Sequence, residues 1–187
     1  MSWSDRRTAS RALTGWVAAV GLSLMLAGCF QPMYAERRDG QPGLRDKLAG
    51  VELPPVAVPN ASPVARIGVE IRNSLAFKLY GNATGLPPTH RLVMRLTPSR
   101  SSLIVDPNTA LPSIENYGID ANYQLVEIAT GKQVLTGSTF SRVSYDIPGQ
   151  FQRFGRARAL RDAEDRASQE IAENIQTRLA SFFYSNI

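Results

Sequence analysis

A helical pattern of apolar residues runs from position 63 to position 80. The apolar residues recur every three or four positions and fall on one stripe: Val64, Ile67, Ile71, Leu75 and Leu79. Ser62 offers an N-cap hydroxyl, and Pro63 fits the first helical position. Gly81 then provides a stop signal. We therefore predict a helix over residues 63–80.

A second helical stripe occupies residues 155–184. Its apolar residues again recur every three or four positions: Leu160, Ala163, Ala167, Ile171, Ile175, Leu179 and Phe182. On the opposite side, the spacing of four predicts two ion pairs, Arg161 with Asp165 and Asp162 with Arg166. A helix of about thirty residues is roughly 45 Å long. Such a helix can cover a sheet and extend beyond it.

Between the two helices the hydrophobic period changes to two, as in strands with one apolar face. Strands are predicted around residues 92–96, over 117–125 and over 134–145. The turn between the last two contains Thr130-Gly131-Lys132, which suits an antiparallel hairpin. Residues 99–112 contain two prolines and are expected to form a polar loop.

A fourth strand is predicted near residues 51–58, where Pro54 and Pro55 restrict it to a sheet edge. The element order is then β-α-β-β-β-α. This order predicts a two-layer α+β sandwich, with two amphipathic helices on one side of a mostly antiparallel four-stranded sheet. The other face of the sheet is expected to be polar and open to solvent or to a partner.

The amino terminus has a different pattern from the rest of the chain. It opens with three arginines that form a positive segment: Arg6, Arg7 and Arg11. The uncharged residues 13–26 follow, and as a helix they span roughly 21 Å, less than the ~30 Å hydrocarbon core of a bilayer. The small residues Ala27 and Gly28 come next. This order is typical of a cleaved export signal, here predicted over residues 1–28.

Cys29 is the only cysteine of the chain and directly follows the predicted signal. Leu26-Ala27-Gly28-Cys29 resembles the bacterial lipobox, in which the cysteine is acylated; an ordinary secretory signal that contains a cysteine is the alternative. Two or more acyl chains hold a protein stably on a membrane. We therefore predict a lipidated Cys29 with a flexible tether over 29–49 and a single domain over 50–187. Phe30, in place of the Asp that retains lipoproteins at the inner membrane of enteric bacteria, favours the outer membrane.

The residue content limits the possible chemistry. One cysteine excludes an intramolecular disulfide framework and a zinc site of several thiolates. The single histidine, His90, disfavours a histidine metal cluster or a Ser-His-Asp relay. Removing the predicted signal, with three Arg and one Asp, lowers the net charge from +5 to +3, too little to indicate nucleic-acid binding. We expect neither an enzyme nor a cofactor, and Gly118 and Gly137 indicate bulges or close packing within strands.

Four basic residues are candidate contacts for a phosphorylated amphiphile such as lipopolysaccharide: Arg91, Arg95, Lys132 and Arg142. The arginines share polar strand faces with apolar neighbours such as Val93 and Phe140, and Lys132 lies at the hairpin tip. Guanidinium groups suit phosphate recognition because they donate two parallel hydrogen bonds. The alternative is a solvated outer face of the sheet, and the pattern alone leaves both interpretations open.

Three segments resemble the LptE-like lipopolysaccharide-assembly lipoproteins. Residues 29–34, Cys-Phe-Gln-Pro-Met-Tyr, are similar to the Gly-Cys-Gly-Phe-x-Pro-Leu-Tyr start of that family, without the Gly between Cys29 and Phe30. Residues 117–126, with the turn after them, resemble the central hairpin of the family. Residues 151–183 resemble its closing helix. The resemblance covers nearly all of the chain after the predicted signal.

The resemblance implies a plug-like outer-membrane lipoprotein inside a large β-barrel partner that inserts lipopolysaccharide into the outer leaflet. It also implies a role in assembly of the barrel and contact with lipopolysaccharide. The predicted export, like the low net charge, argues against nucleic acid as a partner. A second hypothesis is an auxiliary lipoprotein of a phospholipid-trafficking transporter. A third is an exported hydrolase that depends on His90.

Overall fold

The computed structural model describes residues 42–81, 86–105, 112–147 and 153–185. Within these ranges the elements follow in the order α1 Leu44–Ala49, β1 Val51–Glu52, α2 Pro63–Tyr80, β2 His90–Val105, β3 Pro112–Glu127, β4 Gln133–Asp146 and α3 Arg153–Ser185. The predicted α+β class is confirmed, with one additional short helix at the start.

The four strands form one sheet in the order β1-β2-β3-β4, and β1 is an edge strand as predicted. It covers only Val51–Glu52 of the predicted residues 51–58. Val51 of β1 pairs with His90 in parallel, whereas β2, β3 and β4 are antiparallel neighbours. Alternate residues of the three long strands are buried on one face: Leu92, Met94, Leu96, Tyr117, Ile119, Ala121, Tyr123, Leu125, Val143 and Tyr145. Helices α2 and α3 pack together and cover this face.

Helix α2 spans the residues that the sequence predicts. The backbone N–H of Ala65 donates to the Ser62 hydroxyl at 3.1 Å, and Gly81 adopts a φ of +64° at the carboxyl end. Its buried residues are Gly68 and four of the five residues of the predicted stripe, Ile67, Ile71, Leu75 and Leu79. The fifth, Val64, is half-buried. Capping and burial therefore select the same helix.

Helices α2 and α3 run in the same direction along the sheet. Near their starts, Arg66 of α2 pairs with Glu164 of α3. Near their ends, the Tyr80 hydroxyl donates to the carbonyl of Val51, and Phe183 packs edge-on against the ring of His90, with 5.1 Å between the ring centroids. Because Val51 pairs with His90, both helices end beside the start of β2.

The sandwich therefore has two distinct ends. The α1 end contains α1, β1, the start of β2 and the carboxyl ends of α2 and α3. The far end contains the end of β2, the start of β3 and the amino ends of α2 and α3. The 16 residues of β2 extend over about 50 Å between the two ends, at ~3.3 Å per residue.

The flexible tether predicted over 29–49 is wrong for Leu44–Ala49, which forms α1. The Asp46 carboxylate accepts from the N–H of Gly43 at 3.1 Å, and Leu44 and Leu48 are each 2% exposed. A six-residue helix has little stability of its own, so burial of this i, i+4 pair of leucines maintains it. The single domain therefore begins before residue 50. Cys29 lies outside the described residues.

The polar loop predicted over 99–112 is also wrong for residues 99–105 and for Pro112, whereas residues 106–111 lie outside the described residues. Strand β2 continues to Val105 and β3 begins at Pro112, with Arg100 opposite Tyr117 and Ser102 opposite Glu115. The serine-rich sequence lacks the apolar alternation that marks a strand. Backbone pairing with β3 extends this hairpin without that pattern.

Candidate functional site

The three candidate arginines share the open face of the sheet, as predicted. Arg91 and Arg95 flank the buried Leu92 and Met94 along β2, and Arg142 lies between two buried residues of β4. The Arg91 Nε donates to the Glu52 carboxylate at 2.8 Å, and the side chains are 51% and 39% exposed respectively. Arg91 therefore already has an acidic partner at the edge of the sheet.

Arg142 is held more tightly than Arg91. Its guanidinium donates to both carboxylate oxygens of Asp120, at 2.8 and 2.9 Å, and lies 5.5 Å from the centre of the Phe140 ring. The side chain crosses Gly118, where an added Cβ would come within 2.8 Å of the Arg142 Cδ. Gly118 thus permits close packing, one of the two roles predicted for it.

Gly137 has the same role on the face that the helices cover. An added Cβ would come within 2.5 Å of the Tyr123 ring and hydroxyl, which lie across this position. The prediction of close packing is confirmed here as well.

Arg95 and Lys132 differ from the other two candidates. Neither side chain makes an ion pair within the described ranges. Arg95 contributes to a depression of about 590 Å³ on the sheet, beside Asn122, Gln124 and Thr136. Lys132 is exposed in the turn between β3 and β4.

The four candidates do not converge on one point. Arg91 and Arg95 are four residues apart on one strand, about 13 Å at ~3.3 Å per residue. Arg142 is level with Ser99, four residues beyond Arg95. The three arginines share one face of the sheet, whereas Lys132 lies in the turn between β3 and β4. Two of the four candidates, Arg91 and Arg142, are engaged by carboxylates.

A second charged cluster lies at the far end, between the helices and the sheet. Glu164 of α3 is only 3% exposed and forms an ion pair with Arg66 of α2. Its second carboxylate oxygen lies 4.0 Å from a guanidinium nitrogen of Arg100, which stacks 5.9 Å above the centre of the Tyr117 ring. One buried carboxylate thus joins three elements of the fold.

Two tyrosines continue this cluster into the interior. The Tyr145 hydroxyl donates to Glu115, whose other oxygen accepts from Arg156 at 3.3 Å. Burial, the hydrogen bond to Glu115 and the charge of Glu115 raise the pKa of Tyr145 to about 12. Burial, followed by the charge of Glu164, raises the pKa of Tyr117 to about 12. Within the described part of the chain, the Tyr117 hydroxyl has no hydrogen-bond partner.

An open groove of about 620 Å³ lies above this cluster, between α2 and α3. Its charged lining consists of Arg66, Arg100, Arg161 and Glu164. We refer to this groove as the far-end groove.

The two ion pairs predicted along α3 differ in their outcome. The predicted Asp162–Arg166 pair is present at 2.8 Å. The predicted Arg161–Asp165 pair is absent, and Arg161 makes no ion pair with any described residue.

Sequence reasoning missed the far-end groove for identifiable reasons. The sequence pattern predicts a loop around Arg100, and Glu164 follows Ala163 in a segment with the pattern of an ordinary charged helix face. One feature of the sequence could have indicated this basic groove. The first turns of α2 and α3 contain no acidic residue, although acidic residues are favoured there by the helix dipole.

The other candidate chemistry is limited in the described ranges. His90 lies at the start of β2, and burial lowers the pKa of its ring. No group of three or more His, Cys, Asp or Glu side chains in the described ranges could hold a metal ion. Among the described helices, none combines the length and apolar character that a membrane span requires.

The described residues thus form an α+β sandwich with two surfaces that carry arginines, the open face of the sheet and the far-end groove. The model of the LptE lipopolysaccharide-assembly family matches residues 48–179, which is more than half of the chain. The protein belongs to this family.

The structure is also similar to solved lipoproteins. One from Caulobacter crescentus has a TM-score of 0.61 at 21% identity, covering 77% of this chain and 97% of that one. The rare lipoprotein B of Shewanella oneidensis has a TM-score of 0.49 at 15% identity, with coverage of 70% and 93%. The former supports the fold. The sequence has no match among curated proteins.

Proposed function

We propose that the protein is an outer-membrane lipoprotein that fills a large β-barrel and supports its insertion of lipopolysaccharide into the outer leaflet. The family match over residues 48–179 carries this proposal, because that family is defined by lipopolysaccharide assembly. A role in assembling the barrel itself is part of the proposal. The role is one of binding and assembly, without catalysis.

The fold has two distinct ends, which supports the proposed position inside a β-barrel. The described chain begins at the α1 end, thirteen positions (42 − 29) after Cys29. Thirteen extended residues reach at most about 45 Å. An acylated Cys29 would hold the α1 end near the periplasmic surface of the outer membrane, with the far end about 50 Å further along β2.

Affinity purification from solubilised outer membrane tests the partner. A tagged full-length protein is expected to recover a β-barrel several times its own mass. Recovery of the lone lipoprotein would refute the proposed partnership. Depletion of the protein gives a second readout: the proposal predicts loss of surface lipopolysaccharide, whereas normal lipopolysaccharide with altered phospholipid asymmetry would favour the phospholipid-trafficking hypothesis.

Replacement of the cysteine tests the anchor. Because Cys29 supplies the only thiol of the chain, we expect Cys29→Ala to abolish acyl labelling and leave a soluble or uncleaved species. Fractionation and labelling with a radioactive fatty acid measure both effects. Acyl labelling equal to that of the unchanged protein would disprove the anchor while leaving the barrel partnership open to its own test.

A further inference from the structure

The far-end groove carries an excess of positive charge. Three arginines face one glutamate, a net charge of 3 − 1 = +2 on the lining. The buried Glu164 already lies beside both Arg66 and Arg100. The guanidiniums remain accessible, since Arg66 is 41% and Arg100 51% exposed. A molecule that fills the groove is therefore favoured if it is negatively charged.

Two arginines in the first turns of α2 and α3 are placed unfavourably for helix stability. Helices α2 and α3 run in parallel, so the positive ends of both macrodipoles lie at the far end. Arg66 lies in the first turn of α2, and Arg156 lies in the first turn of α3. Cations at these positions oppose the dipoles. The resulting field adds to the attraction for an anion.

Apart from Ser62, the remainder of the groove lining is apolar. Its apolar lining is contributed by both helices and the preceding turn: Ala61, Pro63, Ala65, Val69, Ala157 and Leu160. Val69 is 53% exposed, so this wall is accessible. A volume of about 620 Å³ lies within the usual size of small-molecule sites. Arginines beside an apolar wall match a ligand with an anionic head and a hydrocarbon tail.

We propose that the far-end groove binds the phosphate-bearing head of an anionic lipid, with an acyl chain along the apolar wall. Arg66, Arg100 and Arg161 contact the phosphate. The proposal rests on the proposed function, which brings the protein into contact with a phosphorylated lipid. It places this contact on the helical side of the sandwich, whereas Arg91 and Arg142 of the open face each already pair with a carboxylate.

Photo-crosslinking of the full-length protein in cells tests the groove. A photoreactive amino acid is placed at Val69, or at Phe140 on the open face, which is similarly exposed at 65%. Mass spectrometry of the purified adduct then identifies the molecule attached. We expect a phosphate-containing lipid at Val69. Arg161→Glu should lower its yield about tenfold, the effect of losing one strong charged contact.

Arg158→Glu is the matched control, since it makes the same charge change one turn away on an exposed position outside the groove lining. It should leave the Val69 adduct within about twofold. A protein adduct at Val69, no lipid adduct there, or a yield insensitive to Arg161→Glu would overturn the proposal. An equal fall in the yield of adducts at Phe140 in Arg161→Glu would also overturn it, because the variant would then disrupt the whole complex. Barrel recovery by the unchanged protein, measured separately, decides the proposed function.

Discussion

The two ends of the sandwich differ in what fills the space between helices and sheet. At the α1 end the buried side chains are aliphatic or aromatic: Leu48, Val51, Leu79, Leu125, Leu179 and Phe183. At the far end the corresponding space holds two tyrosines and two carboxylates: Tyr117, Tyr145, Glu115 and Glu164. Arginines lie above them. Apolar burial stabilises a fold directly, whereas buried ion pairs also lose hydration. The comparison therefore assigns most of the stability to the α1 end and chemical selectivity to the far end.

Truncation of the apolar end should have the largest effect. Leu179 of α3 is 0% exposed, so Leu179→Ala is expected to lower the free energy of unfolding by about 2–5 kcal/mol through lost burial and a residual cavity. Urea denaturation measures this loss. Leu103→Ala, on an exposed residue near the far end, is the control and should cost less than about 0.5 kcal/mol. Equal losses would contradict the division of stability between the two ends.

Neutralising the buried carboxylate of the far end should have a smaller effect. Glu164→Gln removes the charge that Arg66 and Arg100 share, but both arginines are partly exposed and regain water. We expect a loss of about 1–2 kcal/mol, as for one charged hydrogen bond. Asp162→Asn, in an exposed pair with Arg166, is the control and should cost less than about 0.5 kcal/mol. A loss as large as that of Leu179→Ala would show that the ionic end also determines stability.

The sequence is sufficient where local signals agree. Helix α2 has an N-cap serine, a proline in the first turn, one apolar stripe and a terminal glycine, and its predicted bounds are confirmed. Helix α1 and the far half of the β2–β3 hairpin lack such signals. Their stability comes from tertiary burial and strand pairing, which a local pattern does not contain.

The candidate site shows the same limit. Strand alternation correctly predicts that Arg91, Arg95 and Arg142 share one face. Their acidic partners do not follow from that pattern, because Glu52 is 39 residues from Arg91 and Asp120 is 22 residues from Arg142. The far-end groove also depends on the parallel direction of two helices distant in sequence. Side-chain placement within one element was therefore predictable, and contacts between elements were not.

The two buried tyrosines of the far end differ in their hydrogen bonds, so their hydroxyl groups should contribute differently to stability. Tyr145→Phe removes the hydrogen bond to Glu115 and is expected to cost about 1 kcal/mol of unfolding free energy. Tyr117→Phe should cost less, since the Tyr117 hydroxyl has no described partner. Urea denaturation at neutral pH compares the two variants. A larger loss for Tyr117→Phe would show that the Tyr117 hydroxyl is the more important one.

The same tyrosines predict an alkaline limit to stability. Folding raises the pKa of each from 10.0 to about 12. A raised pKa contributes stability that is complete below the unfolded value of 10.0 and is lost as pH rises through the folded value. Unfolding free energy should therefore fall between pH 10 and about 12, and less steeply in Tyr117→Phe. An unchanged slope in that variant would argue against the raised pKa of Tyr117.

The open face should show the smallest effect on stability and a separate effect on ligand binding. Arg91→Asp and Arg142→Asp break exposed ion pairs and should each cost about 0.5 kcal/mol.

If this face contacts lipopolysaccharide, the double variant should bind it more weakly in a pull-down with immobilised lipopolysaccharide. Exchanging the charges within a pair, Arg142→Asp with Asp120→Arg, keeps the net charge and the opportunity for an ion pair. Binding restored by the exchange would mean that the face acts through its total charge, whereas binding that stays weak would assign the contact to the guanidinium at position 142. Undiminished binding in the double variant would instead favour the solvated-face interpretation, leaving the far-end groove as the basic surface that remains to contact lipid.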